Sequence, residues 1–214
     1  MPSHELTVWG IGTPRTLRVH WILLEFGLDY DWHPIGPRTG ETISREFLAL
    51  NPKHKIPVLQ HDDLVLTESA AIIEYISDAF EAPEEFFVPA DPIRRAKLNE
   101  WCYFSMMELD ALSMYVVRQH DDLREIYGEA PNAVENAKRA FSEMTNALFA
   151  DFDSTYLMTE GFSIADILFA SCLGFASKRN IDLPACLIDY MSRISQRPAY
   201  QAARRRNFPD TAIS

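Results

Sequence analysis

The chain has 214 residues, 47% of them hydrophobic, and carries a net charge of −11. An acidic surface of that size repels phosphate backbones, so nucleic acid is not an expected partner. Its longest apolar runs, such as Trp21 to Leu24, fall far short of the roughly 20 residues that cross a bilayer, and the opening MPSHELTVWG lacks the basic-then-apolar order of a secretory signal, so no membrane partner is expected.

The cysteines, Cys102, Cys172 and Cys186, are odd in number and show no CxxC spacing. That pattern fits a reducing, cytoplasmic compartment and argues against a disulfide framework or a zinc site. The six histidines show no HxxxH or HExxH spacing, and no metal is expected. The run Arg204-Arg205-Arg206 reads as a solvated C-terminal tail.

Leu6 to Trp9 is a short β-prone run, broken by Gly10-Ile11-Gly12-Thr13-Pro14. A helix follows, with Leu17, Val19, Trp21, Leu23, Leu24 and Phe26 apolar and Gly27 as its stop. Tyr30 to Ile35 is a weaker strand, Pro37 to Gly40 a loop, and Thr42 to Leu50 a short helix ended by Asn51-Pro52. Ile56 to Gln60 and Leu64 to Thr67 are strands joined by the hairpin-length His61-Asp62-Asp63, and Ser69 to Phe80 is helical. The order β-α-β-α-β-β-α predicts a sheet layered with helices over residues 1–80. Residues 81–91 are rich in Pro, Glu and Asp and read as a linker. Beyond it strand signals vanish, and helices are expected at about 92–118, 131–152, 163–178 and 184–194. The predicted fold class is therefore α/β plus all-α, with a helical domain over 92–214.

Two stretches of the first domain invite a functional reading. A proline cannot donate to a sheet ladder, so Pro57 belongs at the first residue of its strand. If the Ile56–Pro57 bond is cis, the Ile56 N–H and C=O turn outward, where they can pair with an extended peptide. Glu68-Ser69 opens the next helix. Ordinary capping explains Ser69, but the helix end also attracts a carboxylate while Glu68 can take an ammonium. Together they form a receptor for an amino-acid headgroup.

The pattern NPKHKIPVL, an acidic turn, and LTESAAIIEYI resembles the glutathione-binding half of the cytosolic glutathione transferases. GFSIADILFA and RPAYQAA resemble that family's later capping box and closing segment, so the likeness spans nearly the whole chain. It implies a thioredoxin-like first domain with Pro57 cis. It also implies Ile56 bonding the cysteinyl backbone of glutathione, Glu68 and Ser69 holding the γ-glutamyl group, and His54 near the glycyl carboxylate, as in theta- and delta-like members. Glutathione is then a co-substrate, no resident cofactor is needed, and a homodimer is expected. Thr42 and Ala70 depart from some delta-like members, which carry a histidine and an arginine there.

Glutathione transfer needs a thiolate, and a hydrogen-bond donor or a helix N-terminus lowers a thiol's pKa. The resemblance places the donor in GIGTPRTLR, with Thr13 where theta- and delta-like enzymes carry serine. Thr13 before Pro14 is equally an N-cap, and both readings stand. Thr16 and Arg15 are fallback donors. In the second domain, Met106, Met107, Ser113 and Tyr115 are candidates for the pocket of a small hydrophobic electrophile, which the family binds in the cleft between its domains; Met suits a loose, adaptable pocket. Ser163 and Asp166 form a capping-box pattern that reads as structural. The expected activity is glutathione transfer to small apolar electrophiles. Isomerisation, dehalogenation or peroxide reduction on the same site, or a non-catalytic binding role, are the alternatives.

Overall fold

The computed structural model describes residues 5–209. They form two compact units, one running up to Glu84 and resumed from Gln196, the other Glu85–Ser195.

In the first unit, β1 (Leu6–Trp9), α1 (Pro14–Glu25) and β2 (Asp31–His33) make a parallel crossover. A 3-10 turn (Glu41–Ile43) and α2 (Arg45–Leu50) lead to the antiparallel hairpin β3 (Val58–His61) and β4 (Leu64–Thr67), followed by α3 (Ser69–Ala79). The sheet order is β2-β1-β3-β4, with β1 antiparallel to β3. Alternation along β1 buries Leu6 and Val8 on one face, and α1 and α3 bury Leu17, Trp21, Ile72, Ile73 and Ile76. On α2's side, Ile35, Phe47 and Val58 pack with Trp9 and Ile56. The first domain thus has the predicted α/β order, with β1 and β4 at the predicted bounds and β2 and β3 shorter.

The closing helix α10 (Pro198–Asn207) belongs to this unit rather than to the helical domain to which 92–214 was assigned. Arg197 forks onto Glu25 with bonds of 2.7 and 2.8 Å, and Tyr200 meets the Trp21 ring edge-on at 4.7 Å. The Arg204–Arg206 run is a solvated tail only in part, since Arg204 and Arg205 are exposed but Arg206 is half-buried. It forms the last turn of α10, and Arg206 stacks over Tyr30 and Trp32 at 4.8 and 4.0 Å.

The second unit begins with α4 (Pro92–Tyr103), whose N-terminal N–H groups are capped by Asp91. The single α-helix expected over 92–118 instead continues as a π-helical stretch, Phe104–Met114, where the Tyr115 N–H reaches the Asp110 carbonyl five residues back. A short α5 (Tyr115–Val117), a second π turn (Arg118–Asp122) and α6 (Arg124–Tyr127) follow. Then come α7 (Pro131–Phe149), α8 (Ile164–Ser177) and α9 (Ala185–Ser195). α8 is buried along nearly its whole length, stacked through Phe169 on Phe149.

Asp166, in the first turn of α8, is fully buried. It accepts from the N–H groups of Leu157 and Ser163, each at 2.9 Å, and from the Tyr190 hydroxyl at 2.8 Å and the Ser163 hydroxyl at 3.0 Å. Burial outweighs those donors and pushes its carboxyl up to about 6. The capping role read from the sequence therefore extends to a tie between the 157 loop, α8 and α9.

Candidate functional site

Strand register brings three chain segments to one end of the sheet. Trp9 pairs with Val58, and Val58 with Thr67. The residues just beyond those pairs are Gly10, Ile56-Pro57 and Glu68-Ser69, so the end of β1, the start of β3 and the end of β4 converge. Gly10 sits at φ 119°, and a Cβ there would lie 2.6 Å from the Ile56 Cβ. The loop into α1 can approach Ile56 that closely only with glycine.

The Ile56–Pro57 bond is cis, and Pro57 immediately precedes β3. Among the described residues the Ile56 backbone N–H and C=O have no hydrogen-bond partner. Glu68 holds φ 69° and ψ 113°, a left-handed-side geometry that side chains rarely adopt, and it starts α3 without capping it. Its carboxylate is exposed and meets the Lys53 ammonium at 2.5 Å; Lys53 also donates to the Thr67 hydroxyl at 2.9 Å. Ser69 is buried, and its hydroxyl accepts from the Arg18 guanidinium at 3.1 Å. His54 is exposed at φ 46°, in a turn built on Asn51, whose side chain donates to the Lys55 carbonyl and accepts from the Lys53 N–H.

Thr13 is the N-cap of α1 and is buried. Its hydroxyl oxygen accepts from the Thr16 N–H at 3.0 Å, while Thr16 Oγ1 accepts from the Thr13 N–H at 3.0 Å. Capping uses a lone pair of the Thr13 oxygen, so the cap and the donor role are compatible: the hydroxyl hydrogen remains. That hydrogen has Thr16 Oγ1 within 3.0 Å. Below the loop, His20 is wholly buried, with Nε2 at 3.1 Å from the Gly10 carbonyl and Nδ1 at 2.8 Å from the Tyr30 hydroxyl. A carbonyl can only accept, so Nε2 carries the proton and Nδ1 accepts from Tyr30. Burial, aided by the Arg206 charge and opposed by the Gly10 bond, pushes the His20 imidazole down to about 4. Burial also raises the Tyr30 phenol.

Arg18, Lys53, His20 and Asn207 were not singled out from the sequence. A usable signal existed for Arg18, a charge set between Leu17 and Val19 on an apolar helix. None existed for Asn207, whose partners lie about 190 residues away.

In the second unit, Met107 is exposed, and Met106 and Tyr115 are half-buried. Ser113 is buried, and its hydroxyl donates to the Glu108 carbonyl of its own helix at 3.1 Å, which leaves that hydrogen unavailable to a bound molecule. A surface cavity of about 540 Å³ lies among His120, Asp121, Arg124 and Lys138, and none of the residues singled out from the sequence lines it. Among the described residues no group of three or more His, Cys, Asp or Glu side chains can hold a metal, and no helix is long and apolar enough to cross a membrane.

Comparison with known proteins decides the family. Residues 4–78 match the model of the glutathione S-transferase N-terminal domain, and residues 104–198 that of the C-terminal domain. The chain belongs to the glutathione S-transferase family. Among relatives of this transferase-family chain, Drosophila melanogaster glutathione S-transferase D7 is 33% identical over 116 residues, 54% of this chain and 51% of that one. The match thus spans about half the length of that relative. The stringent starvation protein A homolog of Haemophilus ducreyi is 30% identical over 192 residues, covering 86% of this chain and 81% of its own. The solved theta class glutathione S-transferase of Xanthomonas axonopodis pv. citri, with glutathione bound, is 25% identical, covers 94% of this chain and 97% of its own, and superposes with a TM-score of 0.76. The fold class predicted for this family member, a thioredoxin-like α/β domain followed by helices, is the one found.

Proposed function

We propose that this family member is a glutathione transferase that ionises the glutathione thiol at the N-terminus of α1 and presents the thiolate to small apolar electrophiles. One observation carries the reading. At a single end of the sheet, a backbone donor and acceptor at Ile56 with no partner among the described residues stand in register with an exposed carboxylate, Glu68, and with the start of α3 at Ser69. That is the complement of an extended peptide ending in an amino-acid headgroup.

In this reading the cysteinyl backbone pairs with Ile56 beside Pro57. The γ-glutamyl ammonium meets Glu68, and its carboxylate meets Ser69 and the first N–H groups of α3. The positive charge of Arg18, 3.1 Å from the Ser69 hydroxyl, favours a carboxylate there. His54 and the Lys53 ammonium are the side chains available to the glycyl carboxylate. Lys53 and the incoming ammonium compete for Glu68, which weakens each pairing.

The chemistry asks little of the protein beyond ionisation and placement. The thiol proton leaves to solvent, the sulfur lone pair forms a bond to the electrophilic carbon, and the leaving group departs with its bonding pair. A thiolate accepting a hydrogen bond from Thr13 is stabilised relative to the thiol. Met106, Met107, Ser113 and Tyr115 are the candidates for the electrophile's pocket. A homodimer, a cytoplasmic location and a role in detoxification belong to the same proposal.

Titration calorimetry with glutathione, paired with turnover of an activated aryl halide, tests it. Binding with turnover is expected. Binding without turnover would favour a non-catalytic glutathione-binding role, the second reading, which is supported by the burial of Thr13 and by Thr16 Oγ1 lying 3.0 Å from its hydroxyl oxygen. Absence of binding would remove both.

A further inference from the structure

We propose that Asn207, in the last turn of α10, is a positioning residue for the Thr13 hydroxyl, and through it for the glutathione sulfur; the inference rests on the glutathione reading above. Asn207 is wholly buried, and all of its grip falls on one loop. Its backbone carbonyl accepts from the Gly12 N–H at 2.8 Å. Its side-chain amide donates to the Thr13 carbonyl at 2.9 Å, and its Oδ1 accepts from the Thr16 hydroxyl at 2.6 Å.

The last bond sets the polarity of the loop. Thr16 has one hydroxyl hydrogen and three acceptors in reach: Asn207 Oδ1 at 2.6 Å, the Thr13 carbonyl at 2.9 Å and Thr13 Oγ1 at 3.0 Å. The shortest separation assigns the hydrogen to Asn207, and an amide oxygen is a good acceptor. Thr16 Oγ1 is then left as an acceptor toward Thr13, taking its N–H and offering a neutral resting place to its hydroxyl hydrogen. A thiolate is a stronger acceptor than that neutral oxygen, so the hydrogen can turn to the sulfur while the cap stays intact. Without the Asn207 side chain, the Thr16 hydrogen turns back on Thr13, and the Thr13 carbonyl loses its amide partner. The hydroxyl then loses its fixed direction, which is what preorganised stabilisation requires.

The neighbouring residue reinforces the hold. Arg206 stacks on Tyr30 and Trp32, and Tyr30 donates to His20, which donates to the Gly10 carbonyl. One turn of α10 therefore restrains the β1–α1 loop from Gly10 to Thr16.

The test compares Asn207→Ala, Thr13→Val and the double variant by ultraviolet titration of the bound glutathione thiolate, with affinity measured by calorimetry and folding by circular dichroism. Asn207→Ala is expected to raise the bound thiol's pKa by about one unit, read as the shift of the titration midpoint. Glutathione affinity should stay within about twofold, a split that general destabilisation would not produce. The double variant should match Thr13→Val alone. A shift in Thr13→Val with none in Asn207→Ala overturns the inference and leaves the glutathione reading standing; so does additivity in the double variant. A wild type that binds no glutathione overturns both. Where Asn207→Ala does not fold, Thr16→Val replaces it with the same expected shift, and Thr16→Ser, which keeps the hydroxyl, should restore the wild-type value. A Thr16→Val curve identical to wild type overturns the inference.

Discussion

Asp166→Asn isolates the cost of keeping a charge in the centre of the helical unit. Asp166 accepts two backbone N–H groups and two hydroxyls, but is fully buried, and its carboxyl is pushed from 3.8 up to about 6. Between those values the folded chain binds a proton that the unfolded chain releases. Stability contributed at this site is therefore greatest below pH 4 and falls as pH rises through 6. At about 1.36 kcal/mol per unit the loss is about 3 kcal/mol by pH 7. The amide of the Asp166→Asn variant cannot ionise, so that slope disappears. It also turns an N–H donor toward the Ser163 N–H, which costs about 1–3 kcal/mol at any pH. Urea denaturation of both proteins from pH 4 to 7 reads the difference, and the other titrating groups cancel. The stability difference between wild type and variant should change by about 2.4 kcal/mol across that range, in the direction that disfavours wild type as pH rises. A change in the direction that favours wild type as pH rises would refute the reasoning, because it would mean that the four donors outweigh burial and hold the carboxyl below its usual range.

Three further outcomes are expected. Glu68→Ala should weaken glutathione binding by about 1.5–3 kcal/mol, the range for a charged hydrogen bond, and unchanged calorimetry in a folded variant would remove Glu68 from the site. Burial holds His20 at about 4, so its contribution to stability falls by about 3 kcal/mol as pH drops from 6.5 to 4, opposite in sign to that of Asp166, and the stability difference between wild type and His20→Gln in denaturation curves should change by that amount. Light scattering should report a homodimer; a stable 24.5 kDa species at micromolar concentration would contradict it.

The sheet end was legible because its residues constrain the backbone. Pro57 cannot sit inside a ladder, and Ser69 after Glu68 marks a helix start, so each carried a local reason to be where it is found. Asp166 was legible as a cap, since its partner Ser163 is three residues away, but its bonds to Leu157 and Tyr190 are tertiary and left no trace in the motif. The π-helical stretch Phe104–Met114 escaped for a different reason. Its pattern of apolar residues is also compatible with α periodicity, and only the hydrogen bonds distinguish them. Arg206 was misread with the basic run because short charge runs usually face water, and Asn207 beside it carried no signal. Here the first turn of α1 and the rings of Tyr30 and Trp32 supplied partners far away in the chain. Residues that cap or turn the chain announce themselves; residues that hold a loop from another element do not.

Ionisation of glutathione at the N-terminus of α1 is read directly from the thiolate absorbance of the wild-type complex, followed from acid to alkaline pH. A free thiol titrates near 8.5. The account predicts bound thiolate well below that pH, with the midpoint moving up by about 1–2 units in Thr13→Val, as the loss of a charged hydrogen bond of about 1.5–3 kcal/mol requires. A bound thiol that titrates like the free one, in wild type and variant alike, would contradict it.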